Sequence, residues 1–401
     1  MFAPALRRSA LGEVRRSPRF LALMLVMLVA AIGYGGRDVS RLRYTTELTG
    51  DALGIGVAAA VFSVGLALGG LSSGPITDRF DPRRLLVAGM ALQGLVSMVT
   101  ALMLLMGITS DGAFAVTILV DGVFAGACVP ALATTQAAMV PASARGSAEI
   151  ISILRLGIGV ALGLMLSGLS PSPGVTLIGV GVVLCLVAWP IALITRPVEI
   201  ARRDRDPGRV LEVLKTHPVL RRVVVADLVL CVAVPTQFAN VILASDWEEY
   251  LVTPVLVSGV LGVLVGRLTL SLTGSHGVVR RDLLRSYGTF VALALLGIPL
   301  VATSVVYTDV WIPVVILFVG SATTAYAQGL LAALVQQQVP DEVRGRLTGG
   351  MAAARSLLIA GSAILLTAVV VPLSTTGAAV FVALLGVAAL VVLRGFRGVT
   401  A

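Results

Sequence analysis

The chain has 401 residues, of which 57% are hydrophobic and only 13% charged, about half the charge content of a soluble domain at roughly 25%. That composition excludes an ordinary water-soluble core. The net charge of +9 does not indicate a nucleic-acid partner, because the basic residues are scattered through short loops without aromatic residues between them. Cys128, Cys185 and Cys231 all fall in apolar runs with no C-x-x-C spacing, so neither a disulfide nor a metal site is expected, and no cofactor. His217 and His276 are isolated beside arginines and read as solvated loop residues.

In chain order, Arg7, Arg8, Arg15, Arg16 and Arg19 precede an apolar run from Phe20. This has the outline of a signal peptide, but its length and its match to later segments predict a first membrane helix at 18–40. Tyr34, Arg37, Asp38, Arg41, Arg43, Glu47 and Asp51 then read as the far end of that helix and the first outer loop. Further spans, each near the ~20 apolar residues that a bilayer requires, are predicted at 51–76, 84–107, 112–139, 147–170 and 174–195. A polar, proline-interrupted, basic stretch follows, and 196–218 reads as a linker between halves. Six more helices are predicted at 219–244, 252–273, 283–306, 311–338, 347–371 and 375–394. The expected fold is therefore an all-α polytopic membrane protein with 12 transmembrane helices in two six-helix bundles, 1–195 and 219–401.

Charge placement fixes the expected topology, because loops on the cytoplasmic side collect arginine and lysine. With both termini inside, that side holds 24 of the 30 basic residues, while Arg37, Arg41 and Arg43 lie outside and Arg155, Arg267 and Arg355 lie within helices. The outer loops hold Asp111, Asp246, Glu248, Glu249 and Asp309 instead. An internal repeat supports the same count. MVPASARG ends at Gly146 and QVPDEVRG at Gly345, and each is followed by an intramembrane arginine, Arg155 and Arg355. Paired six-helix halves are a common transporter construction, with the substrate path at their interface.

The break at 74–86, GPITDRFDPRRLL, sets an Asp-Arg pair, a helix-breaking Pro82 and a second arginine pair between two apolar runs. It resembles the loop signature G-x-x-x-D-R-x-G-R-R of the major facilitator superfamily, with Gly74, Asp78, Arg79, Arg83 and Arg84 in matching places and Asp81 where the inner glycine stands. With HPVLRR and VPDEVRGR, the chain resembles the bacterial branch of that superfamily that holds enterobactin-type siderophore exporters and macrolide efflux proteins. The resemblance implies a transporter and, at this loop, a gate, in which Asp78 meets the start of the eleventh helix near Arg344 and Arg346. It also implies that Tyr34, Arg37, Asp38, Asp121, Gln237, Asn240, Tyr326 and Gln328 stand on helices that line the cavity. Three features depart from the family pattern: Val160 replaces the proline of the antiporter motif in the fifth helix, Asp121 replaces an arginine, and the second-half loop is reduced to LTGSHGVVRR.

Ionisable groups within a membrane span cost about 2.5–3.5 kcal/mol at the helix centre, so each is a candidate site. Asp227 lies about eight residues, or roughly 12 Å, into its predicted helix. Arg355 and Arg267 reach comparable depth, and Arg37 is the expected partner of Asp121, Arg155 being too far away. An Asp-Arg pair of this kind serves either as a proton carrier or as a static tie between helices; the amides and Tyr326 serve either substrate or interhelical hydrogen bonds. The expected function is secondary active transport of a small amphipathic molecule, siderophore-like or drug-like, exported across the bacterial inner membrane by alternating access. Protons are the candidate coupling ion, and the protein is expected to work as a monomer. Uniport or import of a small molecule or lipid, and a non-transporting receptor or scaffold, are the alternatives. No enzyme is expected, since no nucleophile-elbow, zincin or phosphate-loop motif occurs.

Overall fold

A computed structural model describes residues 16–49, 52–77, 81–108, 110–141, 145–170, 172–195, 249–273, 311–338 and 341–365, with single positions between and beyond them, among them 197, 220, 221, 227 and 231. Every regular element among the described residues is helical: α1 Pro18–Thr49, α2 Ala52–Thr77, α3 Pro82–Leu105, α4 Asp111–Met139, α5 Arg145–Gly168, α6 Pro173–Ile194, α7 Glu249–Thr273, α8 Trp311–Gln338 and α9 Asp341–Leu365. α1 to α6 each contain a stretch long and apolar enough to cross a membrane. The expected span at 283–306, and most of those at 219–244 and 375–394, lie outside the described residues.

Most observed helix ends fall within three residues of those read from the sequence; the end of α1 and both ends of α9 differ by more. α1 runs to Thr49, so Arg41 and Arg43 belong to the helix and not to an outer loop. The helix continues because its charges are met inside the protein, as described below. α9 starts at Asp341 and not at 347, immediately after Pro340, which disfavours helical backbone only for the residue before it. Pro82 opens a helix where the sequence suggested a break. It occupies the first turn of α3, and the Asp81 carboxylate at the N-cap accepts from the Arg83 backbone N–H at 3.0 Å, which satisfies one of the amides a helix start leaves open.

The described chain divides into two compact units, 1–44 with 61–204 and 45–60 with 205–401. At 32 residues, α1 is about 48 Å long, well beyond a hydrocarbon layer of about 30 Å, and its last residues group with the start of α2 in the second unit. The core of that unit packs Phe20, Leu23 and Met27 of α1 against Leu86 and Met90 of α3, Ala131 of α4 and Leu184 and Ile191 of α6. Large apolar side chains on the outer faces are exposed, such as Leu25 and Leu186, as expected of helices whose solvent is lipid.

Contact between helices is closest where glycines face main chain. A Cβ added to Gly69 of α2 would strike the Val123 carbonyl of α4, and one on Gly126 of α4 would strike the Leu66 carbonyl of α2. In the second unit, Gly266 of α7 stands in the same way against the Ala322 carbonyl of α8. Small residues let membrane helices approach this closely. Gly69→Val is expected to lower stability by about 1–3 kcal/mol through overpacking; thermal unfolding in detergent measures it, and an unchanged Tm would contradict the close crossing.

Candidate functional site

Among the described residues, each unit holds a buried charge constellation. In the first, Arg37 and Arg41 are one helical turn apart and so share a face of α1. Both reach Asp121 of α4: Arg37 Nη1 lies 2.8 Å and Arg41 Nη2 2.7 Å from its Oδ2. Arg37 Nη1 also donates to Asp121 Oδ1 and to Gln93 Oε1 of α3, both at 3.1 Å. Gln93 Nε2 in turn donates to the Gly89 carbonyl at 3.3 Å and to Cys128 Sγ at 3.4 Å, so the amide links α1, α3 and α4. Asp121 and Gln93 are 0% exposed and Arg37 4%. Asp38, whose side chain is exposed, lies 3.7 Å from Arg37.

Aromatic rings complete the surroundings. The Arg37 guanidinium stands 4.9 Å from the Tyr34 ring centre and 5.6 Å from that of Phe62 on α2, and Arg41 lies 5.4 Å from the Phe62 ring. A desolvated cation over a ring gains about 2 kcal/mol. The Tyr34 hydroxyl donates to Met90 Sδ at 2.9 Å. Three helices thus hold two cations, one buried anion and two rings in a water-poor volume.

In the second unit, Asp227 is 0% exposed and accepts from Arg355 Nε of α9 at 2.6 Å. The arginine side chain is 28% exposed, so one partner of this pair reaches the surface of the unit. Cys231, one turn beyond Asp227, accepts from Gln328 Nε2 of α8 at 3.7 Å. Arg267 of α7 lies against α8 at Gly329, beside Gln328. Tyr326 is half-buried on α8.

Arg155 differs from its repeat partner Arg355. It donates through Nη1 to the Met27 carbonyl of α1 at 2.8 Å and through Nη2 to Ser152 Oγ at 3.4 Å. Arg355 meets a carboxylate, whereas Arg155 ties α5 to a backbone oxygen. Of the loop residues, Arg83 donates to the Ala192 carbonyl of α6 and its backbone to Asp81, while Arg84 is exposed on α3 and Gly74 lies within α2. Arg344 stands in the first turn of α9. Asp78, Arg79, Gln237 and Asn240 lie outside the described residues.

Three participants were not singled out from the sequence. Arg41 was legible in its four-residue spacing from Arg37. Gln93 was legible as an amide in an otherwise apolar run. Phe62 carried no signal, since one aromatic among many apolar residues marks nothing.

A multi-pass all-α protein with paired charges buried inside its spans has the construction of a membrane solute carrier. The sequence profile of the Major Facilitator Superfamily matches residues 20–363, and the chain belongs to that superfamily. Its fold is similar to those of the nucleoside transporter NupG (TM-score 0.69, 13% identity, 94% of this chain and 98% of that one), the E. coli fucose:proton symporter FucP (0.65, 13%, 94% and 98%) and the human organic anion transporter MFSD10 (0.67, 14%, 94% and 99%). No functionally curated protein shows significant sequence similarity to it. The chain is an integral membrane transporter that acts on a small-molecule solute.

Proposed function

We propose that this transporter exports a small amphipathic molecule, siderophore-like or drug-like, across the bacterial inner membrane by alternating access, with both termini in the cytoplasm, and that proton movement at Asp227 drives it. The observation that carries the coupling half is the contrast between the two pairs. Asp121 is clamped by two guanidiniums that are themselves nearly buried, whereas Asp227 has a partly exposed arginine at 2.6 Å. Arg355 can exchange the carboxylate for water or for another anion as its surroundings change; Asp121 has no such route. The solute half of the reading rests on Tyr34, Arg37, Asp38 and Phe62, which set rings beside charge, with Gln237, Asn240, Tyr326 and Gln328 as further candidate contacts. A gating role for Gly74, Asp78, Arg79, Arg83, Arg84 and Arg344 belongs to the same proposal.

Flux in proteoliposomes tests it. With the purified full chain and an imposed pH gradient, lipophilic cations or catecholate siderophores are expected to move at least about tenfold faster than in protein-free vesicles, a change of about 1.4 kcal/mol in effective barrier. If no member of such a panel moves in either direction, the solute class is wrong. Val160, in place of the proline of the antiporter motif, favours a second reading, uniport or import. Flux that ignores the pH gradient would select it.

A further inference from the structure

The charge pairs do not account for a cleft at the end of the first unit where α1 begins. Its volume is about 720 Å³, and it is lined by Arg16, Pro18, Arg19, Met139, Ile194 and Pro197 among others, with no acidic residue among the described residues of its wall. Ser17, also in its wall, donates through Oγ to the Met139 carbonyl at 3.1 Å. Arg16 and Arg19 are exposed, and among the described residues no carboxylate lies within ion-pair distance of either.

The electrostatics favour an anion here. α4 and α6 bring their C-terminal ends, each worth about half a negative charge, and the N-terminus of α1 offsets one of them. The two guanidiniums leave the cleft positive. Pro18, Met139, Ile194 and Pro197 give it apolar wall, and α1 and α6, which contribute to that wall, carry exposed apolar side chains. Leu21 and Leu25 of α1 are exposed in a row that starts at Pro18, and Leu186, Trp189 and Leu193 of α6 are exposed in a row that ends beside Ile194. Trp189 lies five residues, about 7.5 Å, from the helix end, at the depth where an indole sits at the interface. The two helices pack together, with Gly33 of α1 against Val180 and Leu184 of α6. A positive recess that opens onto apolar helix faces at the membrane boundary matches an amphiphile with an anionic head, and basic recesses between membrane helices recognise phospholipid head groups.

We infer that this cleft is a binding site for one anionic phospholipid, with its phosphate between Arg16 and Arg19 and its acyl chains along the exposed rows of α1 and α6. None of its lining residues belongs to either buried charge pair, so its test does not depend on the transport reading.

The experiment uses the delipidated full-length protein in mild detergent, titrated with mixed micelles of phosphatidylglycerol or phosphatidylcholine and read by native mass spectrometry. Phosphatidylglycerol is expected to be retained at least about tenfold more tightly than phosphatidylcholine. Arg16→Gln with Arg19→Gln should abolish that preference, as should Ala138→Trp, which fills the cleft with every charge kept. Arg221→Gln, which removes an exposed arginine from the other unit, should leave it intact. Equal retention of the two lipids overturns the inference. So does an equal loss in Arg221→Gln, which would mean diffuse attraction, or displacement of the lipid by millimolar inorganic phosphate alone, which would mean a free-anion site.

Discussion

Asp121→Ala is expected to lower the stability of the detergent-solubilised protein by about 3–5 kcal/mol, the cost of breaking a buried pair by removing one partner. The carboxylate is 0% exposed and Arg37 and Arg41 are 4% and 8% exposed, so its loss leaves two guanidiniums side by side with little water to receive them. Asp38 is a poor substitute, since its side chain is 56% exposed and lies 3.7 Å from Arg37. Removing the cations as well reverses the sign of the argument. Asp121→Leu with Arg37→Met and Arg41→Met should regain most of the loss, because well-packed apolar replacements of buried ion groups are often neutral or better. Thermal unfolding of the three forms checks this. A single Asp121→Ala variant as stable as the parent would mean that water reaches the cluster.

Asp227→Asn is expected to act on transport where Asp121→Ala acts on stability. The amide oxygen still accepts from Arg355, and the arginine, 28% exposed, can turn toward solvent, so stability should fall by less than about 2 kcal/mol, within the range for a hydrogen bond to a charged group. On the proposed coupling, flux driven by an imposed pH gradient should fall at least about tenfold, while exchange without a gradient persists. Arg355→Gln is the complementary variant. It leaves Asp227 buried without its cation, and the expected stability loss returns to about 3–5 kcal/mol. Gradient-driven flux that is unchanged in Asp227→Asn would remove the residue from the coupling proposal and leave the pair as a tie between Asp227's helix and α9.

The helices were legible because lipid imposes a simple rule. A span must be long, apolar and internally hydrogen-bonded, and residues 82–105 or 173–194 satisfy that by composition alone. The rule fails where charge is matched inside the protein. From the sequence, Arg37 and Arg41 look like the end of a span, and only Asp121, 84 residues from Arg37, shows why α1 continues to Thr49. Pro82 is a similar case: proline stops a helix or starts one depending on which side of the N-cap it falls, and the Asp81 carboxylate decides that.

By itself, the sequence determined a membrane-spanning all-α chain, a duplicated Val-Pro to Arg-Gly segment in each half, and which buried ionisable residues needed partners, because hydropathy and the cost of an unpaired charge are properties of residues and their spacing. Tertiary structure decided which partners they took. Asp121 meets two arginines, one of which also bonds the Gln93 amide, Asp227 meets Arg355, and Arg155, the repeat counterpart of Arg355, meets the Met27 carbonyl and Ser152 of its own helix. Those outcomes depend on interhelical distances of a few ångströms, set by glycine-to-backbone crossings, and linear spacing fixes depth along a helix but not the face that a neighbour presents.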